Sequence, residues 1–331
     1  MDDTSGGDPG ATARAHSNIA LAKYWGKRDA ALNIPAVGSI SITLDALHTD
    51  TTVTFDPALT EDELWLDDHE SPADRVSAVL DLVRERAGLE HRARVASSNN
   101  FPTGAGLASS ASGFAALAVA ACAAAGIHAT PRELSVLARR GSASAARSIF
   151  GGYVELHAGT AADGSDSFAE PVLGGEDWPL GVVVAITDPK AKTVSSTVGM
   201  QATSASSPFY DAWVESSAGS LNRMRDGILA RDFETVGELA EHSCLVLHSL
   251  MLTTRPALIY WNPATIAAIH AVRELRADGL PVYFTIDAGP QVKALCRPAD
   301  AAAVAAALQK VPGMVETRTS GLGPAARVMA P

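Results

Sequence analysis

The sequence predicts an α+β protein, and three observations carry that expectation. Ser39-Ile-Ser-Ile-Thr-Leu44 and Thr51-Thr-Val-Thr-Phe55 alternate polar and apolar residues, the two-residue period of half-buried strands. Continuous apolar runs at 181–187 and 281–286 read as fully buried strands. Between them lie stretches with helical spacing, among them Val76, Val79, Leu80 and Val83, then Leu134 and Leu137, and later Ile266, Ile269, Val272 and Leu275.

Taken in order, residues 11–16 open the fold as a strand, and 39–44 with 51–55 form a hairpin-like pair. Ser71-Pro-Ala-Asp74 supplies a helix start, with a Ser cap and Pro at the first helical position, and Gly88 supplies its stop. Thr130-Pro-Arg-Glu133 is a capping box for a helix running to Arg140. Gly151-Gly-Tyr-Val-Glu-Leu156 is a strand, and acidic, glycine-rich 158–177 a surface loop. The strand at 181–187 opens the second half, so the domains are expected at 11–180 and 181–331. Residues 208–252 form two helices broken at Asp232, and a third follows Asn262-Pro263 and stops at Gly279. The strand at 281–286 delivers Asp287 at its end. The tail holds one Ala-rich helix, 299–310, and short strands at 313–319 and 325–329.

Composition excludes several classes. The formal net charge of −11 over 331 residues argues against a nucleic-acid surface, although a few focused cations suffice for a small polyanion. Cys122, Cys244 and Cys296 are widely spaced in apolar runs, which reads as reduced core thiols of a cytosolic protein. Residues 1–10 read as a frayed acidic tail and not a signal peptide. The uncharged run 107–125 is nearly long enough for a membrane span, but its side chains are mostly Ala and Ser, which favours close packing inside a protein. No Gly-x-Ser-x-Gly elbow, Ser-x-x-Lys pair or Cys-x-x-Cys is present, so hydrolase and metalloenzyme readings lack their reagents.

The chemistry gathers around Ser98-Asn-Asn-Phe-Pro-Thr-Gly-Ala-Gly-Leu-Ala-Ser-Ser-Ala-Ser112. Pro102, Gly104 and Gly106 form a loop that empties into a helix whose first turn carries Ser109 and Ser110. Glycines let a ligand approach the backbone, and the free amides and positive dipole end of the helix favour phosphate. The Walker pattern fails for want of a lysine, and Ser109 stands where the dinucleotide fingerprint needs its third glycine. A plain turn into a buried helix is the competing reading of this stretch. Three further places carry candidate chemistry. Lys23 and Lys27 sit among Asn18, Tyr24 and Trp25; Gly141-Ser-Ala-Ser-Ala-Ala-Arg147 offers Ser142, Ser144 and a guanidinium; Lys190 and Lys192 precede Ser195-Ser-Thr197. Solvated lysines, a helix–strand turn with one surface Arg, and an Asp287 that caps a following helix are the corresponding plain alternatives.

Pro102-Thr-Gly-Ala-Gly-Leu-Ala-Ser-Ser-Ala111 resembles the ATP loop of the GHMP kinase superfamily. Together with 18–28, 141–152, 194–200 and 283–289, it resembles the diphosphomevalonate decarboxylase branch, from about residue 11 to the C-terminus. The resemblance implies a two-lobed GHMP kinase fold, with a ribosomal-protein-S5-like N-terminal half, a ferredoxin-like C-terminal half and the active site in the cleft between. It implies ATP and Mg²⁺ as cofactors, mevalonate 5-diphosphate as substrate and a cytoplasmic homodimer. Carried over residue by residue, it assigns ATP to Ser98, Pro102, Gly104, Ala105, Gly106, Leu107, Ala108, Ser109 and Ser110, with Lys190 and Lys192 on the phosphates and Ser109 on the metal. Substrate falls to Tyr24, Lys27, Ser142, Arg147, Ser196 and Thr197, and catalysis to Asp287, Arg147, Lys27 and Asn18. Gly104 replaces a commoner Ala, and Thr197 stands where some bacterial members carry Arg. Phosphomevalonate decarboxylase, mevalonate 3-kinase and a catalytically silent nucleotide binder share the scaffold. The presence of both Asp287 and Arg147 argues for an enzyme.

Overall fold

The computed structural model describes residues 10–330, so the tail read at 1–10 lies, but for Gly10, outside the described residues. The first half comprises β1 (Ala11–Ala22), a ribbon of β2 (Lys27–Asp29) and β3 (Ile34–Pro35), β4 (Ser39–Asp56), β5 (Glu63–Leu66), β6 (His69–Ser71) and α1 (Asp74–Ala87). There follow β7 (Arg92–Asn99), α2 (Ser109–Ala124), α3 (Pro131–Gly141), a 3₁₀ segment Ala143–Ile149, β8 (Tyr153–Leu156) and β9 (Ala169–Leu173). The second half comprises β10 (Gly181–Ile186), α4 (Ser196–Ser206), α5 (Tyr210–Ala230), α6 (Phe233–Leu252), α7 (Pro263–Ala277), β11 (Val282–Thr285), β12 (Val292–Cys296), α8 (Ala301–Leu308), β13 (Glu316–Ser320) and β14 (Arg327–Val328).

The larger sheet runs β14-β1-β4-β7-β5-β6, and β8 pairs with the other end of β4 and carries β9. The chain thus returns at its end to place β14 beside β1. The two alternating runs expected as a hairpin are the two ends of one 18-residue strand, β4. No Gly or Pro interrupts residues 45–48, and pairing to β1 continues through Thr49 and His48. α2 lies against β1 and β4, with Ala115, Ala116, Ala118, Ala120 and Ala121 fully buried. Small side chains let this helix approach the sheet closely, which is why the run lacks charge. Among the described residues no helix is long and apolar enough to cross a membrane.

Two local expectations are corrected, and one segment assigned no element from the sequence becomes a helix. Ser71 ends β6 opposite Leu64, and α1 begins at Asp74 with Ala73 as an N-cap that makes no side-chain bond. Residues 158–177 contain a strand, β9, whose Ala169 is buried against β8. Residues 196–206 form a helix capped by Ser195, whose Oγ accepts from Val198 N. By contrast, Thr130 makes both bonds of its capping box, Asn262 caps α7, and Asp232 caps α6.

The smaller sheet is antiparallel throughout, in the order β11-β12-β10-β13. One face packs Val183, Ala185, Phe284 and Ala294 against Ile269, Val272 and Val304 from α7 and α8. The other presents Val182, Val184 and Leu295 to Leu21, Ile40, Ile42 and Leu107, so one core joins both sheets. At this seam Gly106 meets Gly289 backbone to backbone. A Cβ on Gly289 would sit 2.8 Å from Gly106 Cα, and neither backbone is a flexible partner that can swing aside. Gly289→Ala is expected to cost about 1–3 kcal/mol of stability through overpacking. Denaturant unfolding checks this, and a variant with the wild-type midpoint would contradict it.

Candidate active site

A cleft of about 590 Å³ opens where the two sheets meet, lined by the β1–β2 segment, the glycine loop, residues 141–147, residues 192–200 and the end of β11. The sequence folds this way at β1 because the ladder to β4 slips between His16 and Asn18 and again between Ala20 and Ala22. Bulges re-aim side chains, and here they bring Asn18 and Lys23 to the cleft. Ser17 Oγ donates to Leu107 O at 2.5 Å, fastening the exit of the glycine loop to the same strand.

In the loop Gly104 and Gly106 have φ of +73° and +82°, and Ala108 has 58°, in the left-handed region. Glycine adopts that conformation without strain, whereas Ala108 pays roughly 1 kcal/mol for it. Ala108 is the N-cap of α2 and makes no side-chain cap bond; Ala111 N donates to Ala108 O at 2.8 Å, and the Ser109 and Ser110 amides remain available to an anion. Ser109 Oγ accepts from Gly104 N at 3.2 Å and closes the loop over the first turn. Lys192 N donates to Gly104 O at 3.2 Å, placing the Lys192 segment along the loop.

Asp287 sits at the cleft floor with a quarter of its side chain exposed, its Oδ1 2.7 Å from Lys23 Nζ and its Oδ2 3.4 Å from Lys293 Nζ. Both lysine side chains are at most 2% exposed. Burial alone would raise the Asp287 pKa, but the two ammonium charges and their hydrogen bonds outweigh it and hold the carboxyl well below the usual carboxylate range. No helix follows Asp287; the chain turns directly into β12, which removes the capping alternative.

Arg147 is almost fully buried beside it. Its Nη1 donates to Ser39 Oγ at 2.5 Å, its Nη2 and Nε donate to Asn18 Oδ1 at 3.0 and 3.3 Å, and its guanidinium carbon lies 5.8 Å from the Tyr24 ring centre. Burial pulls its pKa down to about 10, against the raising influence of Tyr24 and Asp287, so it remains charged at neutral pH. Lys192, burial-shifted to about 8, donates to Ser196 Oγ at 2.7 Å and Ala288 O at 2.9 Å. Lys27 is half-buried, with its pKa lowered by burial and then by Arg75.

The structure therefore brings together Asn18, Tyr24, Lys27, Ser142, Arg147, Ser196, Thr197 and Asp287 with Gly104, Gly106, Ala108, Ser109, Ser110 and Lys192 on one cleft. It does not bring all. Ser98 is exposed on the face of β7 opposite Ser97 and Asn99, because side chains alternate along a strand, and it does not line the cleft. Lys190 is exposed at a turn where its N–H donates to Asp188, and Lys192 alone of that pair reaches inward. Pro102 shapes the loop without lining the cleft, and Ala105 and Leu107 are core side chains, so any contact they make is through backbone. Asn18, expected to orient the ligand, spends its amide on Arg147, Ser144 O and Ser148 Oγ; it positions the guanidinium.

Two cations escaped the sequence reading as site groups, Lys293 and Arg75, and a third was read only in part. Lys23 was visible as a cation but not as the partner of Asp287. Lys293 stands in an otherwise apolar Val292-Lys-Ala-Leu-Cys296 run, the one signal that could have found it. Arg75 on α1 lines the cleft and donates to Gly141 O at 2.8 Å, and an isolated Arg on an amphipathic helix carries no such signal.

A glycine loop at an uncapped helix start, focused cations and one ion-paired carboxylate between two α+β lobes define a phosphoryl-transfer class of GHMP kinase fold. A family model described as the diphosphomevalonate decarboxylase-like N-terminal domain matches residues 15–169, and the mevalonate 5-diphosphate decarboxylase C-terminal domain matches 182–323. The phosphomevalonate decarboxylase of Haloferax volcanii is 39% identical over 286 residues, covering 85% of this chain and 86% of that protein. The diphosphomevalonate decarboxylase of Schizosaccharomyces pombe is 39% identical over 300 residues, covering 84% and 76%. A solved complex of MDDEF with MVAPP, AMPPCP and magnesium superposes with a TM-score of 0.89 at 39% identity, covering 97% of this chain and 99% of that one. The chain belongs to the diphosphomevalonate decarboxylase family.

Because Lys192 carries its charge only below about pH 8, nucleotide affinity is expected to weaken as pH rises through that value. Lys192→Met is expected to flatten this dependence and raise the KM for ATP about 10- to 100-fold, the worth of a charge-assisted contact. Steady-state kinetics from pH 6.5 to 9 check both, and a pH-independent wild-type KM would contradict the assignment.

Proposed function

We propose that the chain catalyses the ATP-dependent decarboxylation of mevalonate 5-diphosphate to isopentenyl diphosphate. The observation that carries this reading is the convergence of the glycine loop, Asp287 and Arg147 on one cleft. ATP phosphorylates the 3-hydroxyl and leaves as ADP. The C3–O bond then breaks with loss of phosphate. The C1–C2 bond gives up CO₂, and its electron pair becomes the C2–C3 double bond.

Asp287 Oδ2 has the looser of the two lysine contacts and accepts the hydroxyl proton in a hydrogen bond. Its depressed pKa makes it a weak base, which suits a loose phosphoryl transfer in which orientation and charge matter more than early deprotonation. Its negative charge also favours the electron-poor C3 centre that forms as phosphate departs. Arg147, fixed by Asn18 and Ser39, holds the substrate carboxylate until the C1–C2 bond breaks. Tyr24, Lys27, Arg75, Ser142, Ser196 and Thr197 receive the 5-diphosphate at the rim. A neighbouring pocket of about 280 Å³ shares Gly104, Ser109, Ser110 and Arg75 with the cleft, and its Leu64, Leu66, Val95 and Phe114 suit the nucleoside.

Among the described residues no three acidic, imidazole or thiol groups cluster to hold a metal, and Asp287 is committed to lysines. The donors present, hydroxyls such as Ser109, fit a magnesium ion that enters on the nucleotide phosphates with few protein ligands. Such an ion neutralises phosphate charge. The same proposal includes the domains at 11–180 and 181–331, a cytoplasmic setting, supported by three free buried cysteines, and a homodimer that sedimentation checks.

The test measures ADP and CO₂ with mevalonate 5-diphosphate and, because of the Haloferax volcanii relative, with the 5-monophosphate. Equal yields of both products from the diphosphate are expected. ADP without CO₂ would make the protein a kinase, preference for the monophosphate would reassign the substrate, and neither product would make it a binder. Asp287→Asn is expected to lower kcat for both products together by about 10²- to 10⁴-fold, the range for a positioned acid–base group.

A further inference from the structure

Lys293 is the second residue of β12, inside the smaller sheet, and is 1% exposed. A buried ammonium is costly unless it is bonded, and here its partners have a pattern. Its Nζ donates to Gly106 O at 3.0 Å and to Asp287 Oδ2 at 3.4 Å. Two residues earlier, on the same face, Gln291 Nε2 donates to Ala105 O at 3.0 Å and also to Asp188 O, while its Oε1 accepts from Thr187 N. Successive carbonyls of the glycine loop are therefore pinned by alternate side chains of one strand segment from the opposite lobe.

Covalent geometry makes that pinning directional. In a trans peptide the C=O of one residue and the N–H of the next point opposite ways. Drawing the Ala105 and Gly106 carbonyls toward β12 turns the amides of Gly106 and Leu107 away from it. Among the described residues neither amide donates to a protein acceptor. Both therefore stay available to the phosphates that the proposed function brings to the cleft.

We propose that Lys293 is a positioning residue: with Gln291 it aims the glycine-loop amides at the nucleotide, and through its second contact it fixes Oδ2 of Asp287. One ammonium thus links nucleotide holding to the reacting carboxylate, across the joint between the lobes. The inference rests on the decarboxylase reading and concerns a residue outside its assigned machinery.

The experiment compares wild type, Lys293→Met and Lys293→Gln for AMPPCP binding with magnesium by calorimetry and for both KM values and kcat with mevalonate 5-diphosphate. Met removes both contacts at similar length. AMPPCP affinity and the KM for ATP are expected to worsen on the order of tenfold, with kcat falling by a comparable factor, the worth of a lost charge-assisted bond. The KM for the other substrate stays within about twofold of wild type on this account. Gln keeps a neutral donor for Gly106 O without the charge on Asp287, so it is expected to recover nucleotide affinity but not kcat. Folded Met variant with wild-type AMPPCP affinity would overturn the proposal. So would equal worsening of both KM values in either variant, which is what a merely structural role produces. Should the Met variant fail to fold, the Gln variant decides: AMPPCP affinity near wild type with a lowered kcat supports the proposal, and a wild-type kcat overturns it. A wild type that binds AMPPCP but turns over no mevalonate 5-diphosphate would overturn the functional reading alone, since the binding comparison still tests the pinning of the loop.

Discussion

The rest of the site depends on a carboxylate held between two buried ammonium groups. Asp287 ends a strand of the smaller sheet, Lys23 comes from the end of β1 in the larger one, and Lys293 comes from β12. Removing the carboxylate leaves two buried ammonium groups with no anion between them, a loss that typically costs several kcal/mol, whereas removing one lysine leaves a matched pair. The cluster is net positive before any ligand arrives, since Arg147 and Lys192 lie close enough to feel the Asp287 charge. A site of this kind is poor at taking protons and good at holding anions. That balance matches a reaction whose first step moves a phosphoryl group and whose second expels phosphate and CO₂.

The backbone complements this charge. The left-handed residues Gly104, Gly106 and Ala108 curl the loop so that α2 begins with unclaimed amides, and the Gly106–Gly289 contact seats that loop on the second lobe. Small residues are required at the seam because backbone meets backbone there. Large apolar residues would add burial and forfeit the approach. The Ala-rich character of α2 follows from the same demand one layer deeper, where the helix lies close against β1 and β4.

Much of this was legible in the sequence because its signals are local. Thr130 and Asn262 announced helix starts, Gly88 and Gly279 announced stops, and the apolar runs at 181–187 and 281–286 fell on buried strands. The glycine loop was readable because small and hydroxyl residues gather at a helix start, the pattern an anion site calls for. What was not legible depends on pairing at a distance. The two ends of β4 looked like separate strands because continuity depends on β1 lying alongside. Lys190 and Lys192 look alike in sequence, and only the turn at Asp188 decides which points inward. Ser98 lost its place to strand parity, a one-residue matter that a loop motif does not encode. Asn18 reads as a ligand-facing amide until Arg147, 129 positions away, is seen to consume it. β12 went unread, and with it the second lysine on Asp287.

The most direct measurement is a crystal structure of the chain with mevalonate 5-diphosphate, a non-hydrolysable ATP analogue and magnesium. The account predicts the substrate 3-hydroxyl within hydrogen-bond distance of Asp287 Oδ2, its carboxylate on Arg147, and the terminal phosphate over the amides that follow Gly104. A substrate bound with its hydroxyl away from Asp287, or a nucleotide seated off the glycine loop, would contradict it.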